Sequence, residues 1–143
     1  MNVSIFHDMT CKLPLPGLLE GVANIIRTDE KLAVFTRSYR QTGSKTFKNE
    51  SQLFAVPCLF EGGKGRSNIR QLTGMSLVDF DHVFPTDSTD NSNALRELKA
   101  KIIADSHTLM SYITMSGNGL RVIFTYEIAP EFSGVPKDEE EVK

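Results

Sequence analysis

In the segment SLVDFDHVF, residues 76 to 84, two aspartates one residue apart interrupt a run of apolar side chains. A carboxylate taken out of water is costly unless a cation or hydrogen-bond donors compensate it. Read as a β-strand, the segment alternates its side chains, so Val78 and Phe80 point one way and Leu77, Asp79 and Asp81 the other. Val78 and Phe80 are therefore expected in the core. The two carboxylates share the opposite face with α-carbons roughly 6.6 Å apart, near enough to reach one cation. Mg²⁺ or Mn²⁺ is the expected ion, because Mg²⁺ takes carboxylate oxygens and keeps positions for water and substrate phosphates. Two like charges this close are unfavourable alone and sensible around a metal. The competing reading makes Asp79 and Asp81 strand-end caps of the polar loop TDSTDNSN.

A second group lies in YITMSGNGLRVIF. Asn-Gly between two β-rich runs is a strong hairpin signal. With Asn118 and Gly119 as the turn pair, Gly117 faces Leu120 and Ser116 lies across from Arg121. A hydroxyl, a guanidinium and the exposed backbone N–H groups of Gly117 and Gly119 together make a cradle for phosphate. Leu120, Val122 and Phe124 are then free to pack inward. EGGKGRSN, residues 61 to 68, is glycine-rich and basic but has neither the Walker spacing nor Gly-x-Gly-x-x-Gly. It reads as a flexible connection whose Lys64 and Arg66, with Arg70 beyond, are candidates for touching a nucleic-acid backbone. His7, His82 and His107 lack metal-ligand spacing, and only His82 adjoins the acidic pair. Cys11 and Cys58 suggest neither zinc nor a disulfide framework. No Ser/His/Asp arrangement or activated thiol can be argued.

These residues need elements to hold them. NVSIF reads as a strand, followed by a Pro-rich connection, KLPLPG. Leu18, Val22, Ile25 and Ile26 repeat at helical period, and a second helix is expected after Thr28 as N-cap, with Leu32, Phe35 and Tyr39 at helical spacing. LFAVPCLFE is a strand whose Pro57 suggests an edge or an end. GMSLVDFDHV is the strongest strand pattern. ALRELKAKIIADS carries Leu95, Leu98 and Ile102 on one stripe of an amphipathic helix. TLMSYITM and LRVIFTYEI complete the hairpin. The order predicts a single α/β (α+β) domain over residues 1–128, a mixed sheet flanked by helices, with an irregular charged tail over 129–143.

The bulk composition permits one domain: 143 residues, 40% hydrophobic and 24% charged, are ordinary for a globular chain. No apolar run approaches the length that crosses a bilayer, and the first residues lack an export signal, so no membrane partner and a cytoplasmic location are expected. The net charge is −2, yet eight basic residues stand against two acidic ones between Lys31 and Arg70. Such asymmetry suits a chain with one side toward phosphates.

The glycine-basic connection, SLVDFDHV, the amphipathic helix and YITMSGNGLRVIF, in that order, resemble the VirE N-terminal-like domain family, an outlying branch of the archaeo-eukaryotic primase (prim-pol) superfamily. VSIF and KTFKNESQLFAVPCLFEGG extend the likeness over most of residues 2 to 127. The resemblance implies a prim-pol-like fold and a metal-dependent, primase/polymerase-like nucleotidyltransferase of a replication or mobile-element protein. It implies that Asp79 and Asp81 hold the divalent metal and serve catalysis, and that Ser116 to Arg121 hold nucleotide phosphates. The partners implied are a nucleoside triphosphate, a DNA or RNA template, and further domains of a longer parent protein. Arg121 stands near where that family carries a histidine, and no third acidic motif follows, so a fragment inactive by itself is also expected. Two other functions fit the residues. One is a non-catalytic module that binds nucleic acid through the basic window. The other is a haloacid-dehalogenase-type phosphohydrolase, reading DFDHV as Asp-x-Asp-x-Val with Asp79 as nucleophile and Asp81 as acid/base.

Overall fold

NVSIF is covered on both faces, with Val3 buried on one and Ser4 and Phe6 on the other, and forms β1 (Asn2–Phe6), the central strand of the first sheet. The computed structural model describes residues 1–81 and 91–127. β1 pairs antiparallel with β2 (Leu15–Leu18) on one side and β3 (Leu53–Ala55) on the other. The Pro-rich connection therefore contains a strand, and Pro16 is accommodated because β2 is an edge. Gly17 on β2 is required by close approach, since a Cβ there would stand 2.3 Å from Ile5 Cδ1.

Two helices follow. α1 (Leu19–Thr28) buries Leu19 and Val22. α2 (Glu30–Thr42) is capped by Asp29, one residue after the expected Thr28, because the Asp29 carboxylate accepts from the Leu32 N–H at 2.6 Å. It ends at Gly43, whose φ of 69° closes the helix in the left-handed conformation. The polar stretch after it forms a short helix, α3 (Lys45–Asn49), which periodicity over so few residues did not announce.

LFAVPCLFE is two strands rather than one. β3 ends at Ala55, and β4 (Cys58–Phe60) leaves for a second ribbon with β5 (Ile69–Leu72). Pro57 sits at the break, where its missing N–H costs no ladder bond. The glycine-basic connection is an ordered turn with a 3-10 segment at Arg66–Asn68, closed by the Glu61 N–H donating to the Asn68 carbonyl. The buried Ser4 hydroxyl accepts from the Phe60 N–H at 2.9 Å and ties this ribbon to the first sheet.

The third sheet has the order β6 (Met75–Phe80), β8 (Leu120–Thr125), β7 (Thr108–Ile113), all antiparallel. One face, with Met75, Leu77 and Ile123, closes a core with Val3, Leu19, Val22 and Val56. The other, with Leu120 and Val122, packs on Leu95, Leu98 and Ile102 of α4 (Asn91–Ile103), the stripe expected from sequence. Val78 and Phe80 do not enter this second core: they are 37% and 41% exposed. Strand alternation set their face correctly, but α4 covers the β8–β7 side of it. The α/β single-domain expectation holds, with the strands divided among three small antiparallel sheets. His82, the loop residues 83–90 and the tail from 128 onward lie outside the described residues, while the last three residues of TDSTDNSN, 91–93, begin α4. Among the described residues no helix is long and apolar enough to cross a membrane.

Leu95, Leu120 and Ile123 are almost wholly inaccessible. Leu95→Ala and Ile123→Ala should each destabilise the fold by about 2–5 kcal/mol, from lost transfer energy and the cavity left behind. Urea unfolding should show the midpoint fall with little change in slope.

Candidate functional site

Register on the third sheet sets the geometry. Asp79 of β6 lies directly opposite Arg121 of β8, which lies opposite Tyr112 of β7. These three side chains form one row across the sheet. The Arg121 guanidinium grips Asp79 in a fork, Nε donating to Oδ1 at 2.6 Å and Nη2 to Oδ2. Its Nη1 donates to the Tyr112 hydroxyl at 3.3 Å, and the guanidinium stands 5.9 Å from the centre of that ring. The paired carboxylate pushes Arg121's already high pKa further up, against the opposing effect of burial. Burial raises the Tyr112 phenol, and the nearby Arg121 charge partly offsets it.

Two residues further toward the hairpin, just past the strand ends, Asp81, Gly119 and Thr114 come together. Thr114 N–H donates to the Gly119 carbonyl at 3.0 Å. A Cβ on Gly119 would meet the Phe80 carbonyl at 2.8 Å, the Thr114 hydroxyl at 3.0 Å and Asp81 Oδ1 at 3.1 Å. Glycine thus leaves a notch between a carboxylate and a hydroxyl. Asp81 accepts no hydrogen bond among the described residues.

The turn is wider than the two-residue turn read from Asn118-Gly119. Ile113 pairs with Leu120, so Tyr112, not Ser116, stands across from Arg121. Ser116 sits in the loop instead, its hydroxyl 3.0 Å from the Thr114 hydroxyl. Gly117 takes a φ of 82°, and a Cβ there would lie 3.2 Å from Arg40 Nε. That approach exists because Arg40 of α2 donates from Nε to the Met115 carbonyl at 3.0 Å.

Helix α2 therefore walls a cleft of about 670 Å³ against the sheet. Asp79, Asp81, Ser116 and Arg121 line it, and Arg37, Arg40 and Lys48 face them. Arg37 makes no ion pair or hydrogen bond among the described residues, and Lys48 lies 5.0 Å from the centre of the Tyr39 ring. Spacing could have found this wall, since Arg37 and Arg40 stand three apart on a helix and so share a side. The other expected cations are not gathered here. Lys64 donates to the Met9 carbonyl at 2.6 Å and Arg70 pairs with Glu61, while Arg66 belongs to the β4–β5 turn.

A divalent cation would find two carboxylates. No cluster of three His, Cys, Asp or Glu side chains suited to a metal occurs among the described residues. One or two carboxylates with phosphate oxygens is nonetheless the donor set Mg²⁺ commonly takes. Both oxygens of Asp79 are engaged by Arg121, whereas Asp81 has no partner among the described residues.

The Arg121 and Asp79 side chains are 35% and 33% exposed, between the surface and buried regimes. A double-mutant cycle with Arg121→Gln and Asp79→Asn should give a coupling of about 1–2 kcal/mol, above typical exposed pairs and below fully buried ones. Alkali offers a separate check. A phenol whose folded pKa is raised adds stability that is intact below the unfolded value of about 10 and is lost as pH rises through the folded one. As pH rises above about 10, the wild-type unfolding midpoint should fall faster than that of Tyr112→Phe.

No curated protein and no solved structure matches the chain. A family model does, over residues 46–143, and its description is BT4734-like, N-terminal domain. This match corrects the VirE N-terminal-like resemblance and the prim-pol placement that came with it, which rested on the order of short motifs rather than on a match along the chain. Covering more than half of the sequence, the match makes the chain a member of the BT4734-like N-terminal domain family.

Proposed function

We propose that the cleft binds a nucleoside triphosphate next to a nucleic-acid strand and serves metal-dependent nucleotidyl transfer of the primase or polymerase type. The observation that carries this reading is the charge layout. Two carboxylates, Asp79 on β6 and Asp81 just past its end, line one cleft with Arg37, Arg40 and Lys48. Phosphoryl and nucleotidyl transfer depend mainly on positioning and charge compensation, and these are the groups that provide both. Arg37, Arg40 and Lys48 donate to phosphate oxygens, and the Thr114 and Ser116 hydroxyls are further donors. Asp79 and Asp81 would hold Mg²⁺ or Mn²⁺, which neutralises triphosphate charge and helps activate an attacking hydroxyl. For Asp79 this requires Arg121 to release it, and a phosphate entering the cleft offers the guanidinium an equivalent bidentate partner.

A second reading, a non-catalytic nucleic-acid-binding module, draws on the Arg121–Asp79 fork, which leaves Asp81 as the open carboxylate of the pair. A phosphohydrolase with Asp79 as nucleophile would need the same release of the carboxylate by Arg121, and no observation of this site favours it over metal binding.

Isothermal titration with a dNTP or NTP in Mg²⁺ or Mn²⁺ separates the readings. Nucleotide binding should require metal, Asp81→Asn should weaken it at least about tenfold, and Arg37→Ala should weaken it several-fold, a tenfold loss being about 1.4 kcal/mol. Binding of oligonucleotide with a steep salt slope, indifferent to metal and to Asp81→Asn, would instead establish the non-catalytic module.

A further inference from the structure

We infer that the apolar pocket beside the charged cleft receives the base of the bound nucleotide, an assignment that rests on the cleft taking the triphosphate. Helix α2 buries none of its residues fully, although Leu32 and Phe35 stand at helical spacing on its inward side. Those two side chains, with Ile25 of α1 and Phe54 of β3, line a pocket of about 250 Å³. Close-packed interiors leave few voids larger than a water molecule, so an apolar recess this large between two helices and a sheet is suited to a ligand.

The adjoining surfaces define that ligand. Ile26, Leu32, Leu53 and Phe54 line both the recess and the cleft, so the two volumes adjoin. The recess has a mostly apolar wall, with His7, Asp29, Lys31, Glu50, Ser51 and Gln52 as its polar lining, whereas the cleft carries Arg37, Arg40, Lys48 and Arg121. A matching molecule has a flat, mainly apolar end with a few hydrogen-bonding edges and a polyanionic end. A nucleotide has that form. Phe35 and Phe54 supply aromatic surface for base contact, an interaction tolerant of base identity. Gln52, exposed at the shared wall, supplies both a donor and an acceptor.

The test compares ATP with inorganic tripolyphosphate, each titrated in Mg²⁺ into wild type and Ile25→Phe. Ile25 lines the recess and not the cleft, so phenylalanine there fills the recess alone. Wild type should bind ATP at least about tenfold more tightly than tripolyphosphate. Ile25→Phe should reduce ATP to the tripolyphosphate level and leave tripolyphosphate unchanged. Equal wild-type affinities, or an ATP preference that survives Ile25→Phe, would overturn the base assignment while leaving the triphosphate cleft standing. Binding of neither ligand would remove the cleft reading and this inference with it. Photolabelling of the wild-type chain by 8-azido-ATP needs no folded variant. Label should fall on peptides spanning residues 19–35 or 50–55, and label confined to the 113–121 hairpin would refute the assignment.

Discussion

The antiparallel register between β6 and β8 is the constraint from which the rest of the site follows. It sets Asp79 opposite Arg121, and Arg121 opposite Tyr112, so that acid, guanidinium and phenol form one line across three strands. A slip of one residue would turn every one of these side chains to the opposite face and expose Ile123 in exchange. Burial of Ile123 on one face and Leu120 on the other opposes such a slip from both sides. The polar row is thus held by apolar residues that take no part in its chemistry. The fork between Arg121 and Asp79 then satisfies two charges that would otherwise be costly in a half-buried position.

What could be read from the sequence divides along the range of the forces involved. Strand alternation is local, and it placed Asp79 on the Leu77 side of β6, while Asp81, just past the strand, lines the same cleft as Asp79. Helical period is local too, and the stripe Leu95, Leu98, Ile102 packs as expected. Turn geometry depends on how two strands meet, and there the reading slipped: Asn118-Gly119 suggested a two-residue turn, while the loop spans residues 114–119 and brings Tyr112 to Arg121. Pro57 signalled an edge or an end within what read as one strand, but where the chain goes after a proline is a tertiary matter, and here it goes to another sheet. The basic window was visible as composition. Only the fold separates Arg37, Arg40 and Lys48, which reach the cleft, from Lys64 and Arg70, which are held elsewhere.

The family match and the cleft do not have the same boundaries. Residues 46–143 carry the acidic pair, the hairpin and Lys48, whereas Arg37 and Arg40 come from α2, ahead of the matched stretch. The cleft is thus composite, with its carboxylates on and just past a strand held by cross-strand pairing and two of its four cations on a helix with no fully buried residue. The bond from Arg40 to the Met115 carbonyl joins these parts at the hairpin, over a glycine that leaves room for it.

The proline in β2 has an effect on behaviour in solution. This edge strand and its approach present Leu13, Leu15 and Leu18 to solvent, each more than half exposed. An apolar edge of that kind is a template on which further chains can stack and aggregate. Pro16 has no amide proton to offer an incoming strand, and Pro14 just ahead of it has none either. The rim of the first sheet therefore carries its own guard against self-association, built into the same residues that make the segment look like a plain linker.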